Sequence, residues 1–84
     1  MGGDESSKIS TAFGRAIKLR RVELGFSQEE LADKAELARS FVSGIERGLA
    51  KASTTSVWKI AKALKCNPSD IWLMAERLIG TTAE

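Results

Sequence analysis

The chain has 84 residues, of which 43% are apolar and 29% charged, so we expect one small folded domain and no wholesale disorder. It contains no histidine and a single cysteine, Cys66, which excludes internal disulfides, the common Cys/His zinc sites and catalysis by Ser-His-Asp or Cys-His groups. No apolar run approaches the ~20 residues of a membrane-spanning helix, and the lone thiol is typical of a reducing cytoplasm.

The net charge of +2 conceals an uneven distribution along the chain. Residues 8–65 hold twelve Lys or Arg against six Asp or Glu, a net charge of +6, whereas the segments on either side each carry −2. A basic central segment would attract a polyanion. Many helical domains, however, carry a solvated basic face. Charge alone therefore leaves both interpretations open.

Residues 1–8 are predicted to form a disordered N-terminal tail, because they are glycine-rich and acidic and lack apolar anchors. A first helix should follow, capped by Ser10 or Thr11 and running to about Leu24, with Gly25 as its stop signal. Four cations make this helix strongly basic: Arg15, Lys18, Arg20 and Arg21.

Two short helices joined by a tight turn are predicted next. Ser27 and Glu30 form a capping-box signature, so a second helix should begin at Gln28. A third helix has an apolar face at helical spacing, and Gly48 ends it. Its opposite face carries small polar side chains and guanidinium groups: Arg39, Ser40, Ser43, Gly44 and Arg47. Such a helix is suited to lie against a flat polar surface.

The segment from Ser27 to Gly48 resembles the helix-turn-helix of the Cro/phage-repressor (XRE-type) DNA-binding family. The similarity in residue pattern and segment lengths extends to Leu73. It implies a compact, all-α, five-helix lambda-repressor-like domain over residues 9–79, with the helix-turn-helix at helices 2 and 3. The matching positions are Ser27, Gln28, Leu31, Ala32, Arg39, Ser43, Ile45, Glu46 and Gly48.

Two positions depart from the family pattern. Glu36 stands where the turn often has glycine, so it must tolerate an uncommon backbone conformation. Ala38 stands where the recognition helix usually has a Ser or Thr cap. The start of the third helix is therefore the least well specified boundary of the domain.

The resemblance also implies roles for individual side chains. Base edges in the major groove would be contacted by Arg39, Ser40 and Ser43, and Arg39 could address guanine O6 and N7 together. Gly44 would permit close approach to DNA, while Phe41 could meet a thymine methyl or pack in the core. Phosphates would be bound by Gln28, Arg47, Lys51, Arg15 and Lys18. Arg21 and Glu46 match an ion pair that fixes the first helix against the recognition helix.

Two further helices complete the predicted domain. Ser53 should cap a fourth helix, on which Trp58 fits either the core or the surface. Asn67 and Pro68 predict the start of a fifth helix that is apolar on more than one side, so a second copy of the chain is expected to cover it. The expected homodimer interface comprises Ile71, Trp72, Met74, Ala75, Leu78 and Ile79. Alternatively, Trp72 and Met74 close the single core, and residues 80–84 form a C-terminal tail.

The sequence thus predicts a transcriptional regulator that binds a palindromic operator in double-stranded DNA as a homodimer, with half-sites ~34 Å apart. No cofactor, metal or catalytic activity is expected, and RNA polymerase is a further candidate partner. The length and the run Arg-Ser-Phe-Val-Ser resemble stand-alone controller proteins of restriction–modification systems. Antitoxins and prophage repressors of the same family remain open, as does a helical protein–protein adaptor that does not bind DNA. Cys66 fits a small buried apolar residue or a redox-sensing thiol.

Overall fold

The computed structural model describes residues 2–80 of the chain, with the side chains of residues 5–80. These residues form five α-helices: α1 (Gly2–Glu23), α2 (Gln28–Ala35), α3 (Arg39–Glu46), α4 (Thr54–Ala63) and α5 (Pro68–Ile79). The all-α, five-helix architecture implied by the resemblance is confirmed. Of the predicted C-terminal tail, only Gly80 lies within the described residues, where it ends α5 in a left-handed conformation.

Helix α1 is longer than its composition suggests. From Gly2 onward, the expected disordered tail at residues 1–8 is helical, so the predicted start at Ser10 or Thr11 is wrong. No proline interrupts this segment, and Lys8 lines a groove against the C-terminal end of α5. From Ser7 onward α1 therefore runs beside the end of α5, which the composition of residues 1–8 alone does not reveal.

Local side-chain hydrogen bonds set the predicted helix starts. The Ser27 hydroxyl accepts from the Glu30 N–H at 3.0 Å, and the Glu30 carboxylate accepts from the Ser27 N–H at 2.8 Å, which confirms the capping box. The Ser53 hydroxyl accepts from the backbone of Ser56 at 3.1 Å. At the start of α5 the Asp70 carboxylate accepts from the backbone N–H of Asn67 at 2.9 Å.

Two non-glycine residues end helices in the left-handed conformation. Glu36 closes α2 with φ of 58°, as expected from its place in the turn, and Lys65 follows α4 with φ of 59°, which the sequence analysis did not predict. Each costs on the order of 1 kcal/mol relative to glycine. Arg20 stabilises the second of these turns, because its Nε donates to the carbonyl of Leu64 at 3.1 Å.

The core is a single cluster to which every helix contributes. Its fully buried large side chains are Ile17, Leu31, Val42, Ile60 and Leu64. Helix α1 runs along α5 and crosses α3, while α2 packs against both α3 and α4.

Gly14 makes the crossing of α1 and α3 possible. A Cβ added there would overlap the carbonyl oxygen of Ile45 and lie 2.7 Å from that of Glu46. The backbone of α1 therefore touches the last turn of α3, and this contact sets the position of the recognition helix.

Candidate nucleic-acid interface

Helix α3 divides sharply into an inner and an outer side. Val42 and Ile45 are buried in the core, whereas Arg39 and Ser40 are exposed and Ser43 is half-buried. Within the described part of the chain, no hydrogen bond or ion pair engages the side chains of these three polar residues. Their hydrogen-bonding capacity is available to another molecule.

The turn at residues 36–38 fixes the angle between α2 and α3. The N–H of Glu36 donates to the carbonyls of Ala32 and Asp33, and the N–H of Leu37 donates to that of Ala32 at 2.9 Å. This arrangement satisfies the last carbonyls of α2. Ala38 begins α3 without a side-chain cap, as its identity requires. Backbone hydrogen bonds therefore hold the turn, and Glu36 adopts a strained left-handed conformation to form it.

A buried ion pair joins α1 to the end of α3. Arg21 Nε donates to Glu46 Oε2 at 2.7 Å, and Arg21 Nη2 donates to Glu46 Oε1 at 3.0 Å. A third bond runs from Arg21 Nη1 to the carbonyl of Phe26 at 2.8 Å. The two residues are only 9% and 6% exposed. This is the pairing expected from the resemblance, and its bidentate geometry holds the two helices at a fixed angle.

Gln28 belongs to the same network. Its side-chain Nε2 donates to Glu46 Oε1 at 3.0 Å, so the Glu46 carboxylate accepts from α1 and from α2. The expectation for Gln28 was a phosphate contact at the start of α2. The structure adds a second partner that the sequence analysis missed, since residues 28 and 46 are far apart in the chain. One Nε2 hydrogen remains for another acceptor.

The other predicted phosphate-binding residues are exposed but lie in different places. Arg47 caps the C-terminal end of α3, and Lys51 lies in the loop that follows it. Lys18 is one helical turn from Gly14, whose backbone touches that same end of α3. Arg15 instead lines the groove between α1 and the end of α5. Arg47 and Lys51 thus lie at the C-terminal end of α3, whereas Lys18 and Arg15 extend from α1, where Arg15 is one helical turn from Thr11, the neighbour of Gly48.

Gly44 makes a contact within the chain that the sequence did not predict. A Cβ at this position would lie 3.0 Å from the Cβ of Ala50, and the Gly44 carbonyl accepts from the N–H groups of Leu49 and Ala50 at 2.9 and 3.1 Å. The loop after α3 therefore folds back onto the helix, and the missing Cβ of Gly44 makes room for Ala50. For Phe41, which is half-buried and packs against the core cluster, the core alternative is the observed one.

The α5 surface is smaller than predicted. Ile71 and Ala75 are buried within the chain's own core, so their assignment to a homodimer interface is wrong. Their spacing on α5 puts them on the side that packs against α1. Met74 and Ile79 are half-buried against the same core. Trp72 contacts Phe13 with ring centroids 4.7 Å apart, which partly closes the core as in the alternative.

An apolar surface nevertheless remains uncovered on α5. Trp72 is 44% exposed and Leu73 is 51% exposed, and Leu78 is also exposed. Leu73 was not among the predicted interface residues. Trp72 also lines a groove with Ile9 and Ala52, so the exposed surface extends from α5 onto α1 and the loop after α3.

Cys66 is half-buried at the end of α4. Burial raises the pKa of its thiol above the ordinary value, and the nearby Arg20 guanidinium opposes this shift only in part. The thiol therefore stays protonated at neutral pH, which disfavours reactivity. Within residues 2–80 no helix is long and apolar enough to span a bilayer, and no cluster of His, Cys, Asp or Glu is arranged to bind a metal ion.

A short helix whose polar side faces outward, fixed by a tight turn to α2 and by a buried ion pair to α1, defines a helix-turn-helix DNA-binding domain. The chain belongs to the helix-turn-helix family, whose profile matches residues 17–71.

Its relatives include regulators and controller proteins. The chain is 36% identical over 67 residues to control protein C.BamHI of Bacillus amyloliquefaciens. The matched region covers 79% of this chain and 83% of C.BamHI. It is also 35% identical over 65 residues to the competence pilus inhibition repressor of Acinetobacter baylyi. That matched region covers 77% of this chain but only 59% of the repressor's length.

One similar structure contains DNA. It is the restriction–modification controller protein C.Esp1396I, solved as a tetramer in complex with its natural 35-base-pair operator. Its TM-score to this chain is 0.77 at 32% identity, over 84% of this chain and 93% of that protein. The resemblance to controller proteins, first noted in the sequence, is confirmed.

Proposed function

We propose that the chain is a sequence-specific transcriptional regulator that binds a palindromic operator in double-stranded DNA as a homodimer. The observation that carries this proposal is the outer side of α3, where Arg39 and Ser40 are exposed and unpaired within the described residues. Because Val42 and Ile45 anchor the other side in the core, the helix can enter a major groove without rearranging.

Each polar residue around α3 has a role in this proposal. Arg39 contacts a guanine through its bidentate guanidinium, which contributes ~1–3 kcal/mol of discrimination against a wrong base. Ser40 and Ser43 contact neighbouring base edges. Gln28 binds a phosphate with the Nε2 hydrogen not used by Glu46, and four cations bind further phosphates: Arg47, Lys51, Lys18 and Arg15. Binding should therefore weaken steeply with salt.

The exposed apolar surface supports the homodimer. One helix-turn-helix reads only a few base pairs, and two copies related by a two-fold axis would read half-sites ~34 Å apart. Trp72, Leu73 and Leu78 supply exposed apolar area on α5 for such a contact. This set replaces the larger interface expected from the sequence.

Within the family we favour a controller protein of a restriction–modification system. The match to C.BamHI extends over 83% of that protein, compared with 59% of the competence repressor. Such a regulator would act in the cytoplasm, and as an activator it would contact RNA polymerase beside the operator. The proposal includes no catalytic activity and no cofactor.

Selection of bound sites from a random duplex pool tests the proposal directly. We expect a palindromic consensus, bound with a steep salt dependence in fluorescence anisotropy. Arg39→Ala should lose discrimination at one base pair of each half-site, whereas Lys59→Ala, a matched change on α4, should keep it. Failure to enrich any sequence, with no binding at low salt, would favour the protein–protein adaptor instead.

A further inference from the structure

Leu49 is an exposed apolar side chain in the loop directly after the recognition helix. It is 71% exposed, the highest value among the large apolar side chains of the described residues; Val22 on α1 and Trp58 on α4 follow at 58% and 57%. A single exposed leucine is common on protein surfaces and needs no explanation by itself. Leu49 differs from the others in where the loop holds it.

The loop after α3 lies on the same side of the helix as the proposed base contacts. Gly44 follows Ser40 by four residues, so both lie on the outward side of α3, opposite the buried Val42. The Gly44 carbonyl accepts from the N–H of Leu49 at 2.9 Å, and a Cβ on Gly44 would lie 3.0 Å from the Cβ of Ala50. A loop packed against Gly44 would therefore reach the DNA surface together with the helix.

The backbone on either side of Leu49 is held in place. Gly48 has φ of 75° and lies so close to α1 that a Cβ on it would be 2.9 Å from Thr11 Oγ1. The cations proposed to bind phosphates flank the leucine, since Arg47 is two residues before it and Lys51 two residues after it, and both are exposed. Leu49 thus presents an uncovered isobutyl group between two proposed phosphate contacts.

Leu49 also differs from the loop residues that face α5. The groove beside Trp72 is lined by residues 50–52 but not by Leu49. The leucine therefore lies outside the groove that extends the exposed α5 surface onto this loop. Because α3 is ~12 Å long and Arg39 lies at its start, Leu49 and Arg39 are far enough apart to address different base pairs.

We propose that Leu49 contacts the C5 methyl group of a thymine in the major groove and so extends the sequence preference of the chain beyond the base pairs contacted by α3. The thymine methyl is the apolar group that base pairs present in this groove. Leucine has no donor for a phosphate or a base edge, so an apolar group is the contact that it can make favourably. The inference rests on the proposed function, since it requires α3 to lie in the groove.

Replacement of single thymines in the selected operator by deoxyuridine tests the contact, because deoxyuridine lacks only the methyl group. In fluorescence anisotropy, one such replacement should weaken binding of the intact chain about fourfold per half-site, the effect of one buried methyl-sized group. Leu49→Ala should bind the thymine operator at least that much more weakly and should not respond to the replacement. Leu19→Ala, a matched change at an exposed leucine of α1, should remain as sensitive as the intact chain.

A methyl group on another base gives an independent readout. Exchange of the identified thymine–adenine pair for cytosine–guanine removes the methyl, and 5-methylcytosine restores it at the same place in the groove. The intact chain should bind the 5-methylcytosine operator about fourfold more tightly than the cytosine operator. Leu49→Ala should bind the two operators equally.

Leu49→Ala should keep the thermal midpoint and the dimer seen in sedimentation equilibrium, because the side chain is largely exposed. The proposal is wrong if the selected consensus lacks thymine or if the intact chain binds every deoxyuridine operator equally well. It is also wrong if Leu49→Ala retains the thymine preference, so that another side chain reads the methyl, or if it weakens the dimer. If selection enriches no sequence, the proposed function fails as well; tight operator binding that ignores the methyl refutes only the role of Leu49.

Discussion

The buried pair between Arg21 and Glu46 makes a quantitative prediction about stability. Arg21→Met keeps most of the aliphatic volume but removes three hydrogen bonds, two to Glu46 and one to the carbonyl of Phe26. The Glu46 carboxylate, 6% exposed, then retains only the Gln28 amide as a donor. Stranding a buried charge in this way costs ~3–5 kcal/mol.

That cost is large for so small a domain. A chain of 84 residues is expected to have a total stability of ~4–13 kcal/mol. Because each kcal/mol shifts the midpoint by about 4–8 °C at this size, Arg21→Met should lower the thermal midpoint by about 12 °C or more. Urea unfolding followed by circular dichroism would give the free energy of unfolding directly.

Two comparisons identify the cause. The double variant Arg21→Met/Glu46→Leu removes both charges and should be more stable than either single variant, since no buried charge is left unpaired. Glu23→Ala breaks the exposed pair with Arg20, 3.2 Å apart, and should cost less than ~1 kcal/mol. If Arg21→Met costs no more than Glu23→Ala, or if the double variant costs the sum of the single ones, the argument from buried charge is refuted.

Three further predictions follow from local structure, two of them substitutions. Gly14→Ala should cost ~1–3 kcal/mol of unfolding free energy and weaken DNA binding, because the added Cβ pushes α1 away from the carbonyls of Ile45 and Glu46; wild-type affinity would contradict this. Glu36→Gly should raise the unfolding free energy by about 1 kcal/mol by relieving the left-handed conformation, and an unchanged urea midpoint would count against that strain. Burial raises the pKa of Cys66, so iodoacetamide should label the native thiol more slowly than the denatured one at pH 8. The protonated Cys66 thiol contributes to the free energy of unfolding in full below the ordinary thiol pKa, and this contribution is lost as pH rises through the raised pKa. Urea midpoints measured across alkaline pH would show the loss.

The features that could be predicted from the sequence are those set by neighbouring residues. Ser27 with Glu30 and Asn67 with Asp70 lie within one helical turn of each other, so their hydrogen bonds follow from spacing alone. The left-handed conformation of Glu36 likewise follows from its place in a tight turn. The exposed side of α3 follows from the helical period.

The features that sequence reasoning missed depend on distant parts of the chain. Gly14 looks unremarkable in α1, and its importance comes from the backbone of α3 crossing there. The apolar pattern of α5 indicates how much of the helix is covered but not by what. Ile71 and Ala75 were therefore assigned to a second subunit when α1 of the same chain covers them. The helical residues before Ser10 were also missed; of these, Ser7 and Lys8 line a groove against the end of α5, which is distant in the sequence.

Positions along α3 differ in how well they tolerate substitution. The side chains of Arg39 and Ser40 are exposed and form no hydrogen bond or ion pair within the described residues, so a library randomised at these two positions should consist mostly of folded proteins with altered operator preference. Gly44 lies only one turn further along but is more constrained, because a Cβ there would lie 3.0 Å from the Cβ of Ala50, which would have to move. Residues 39 and 40 at the start of the helix are therefore the positions to vary when operator preference is redesigned. Packing of the loop after α3 restricts substitution from Gly44 onward.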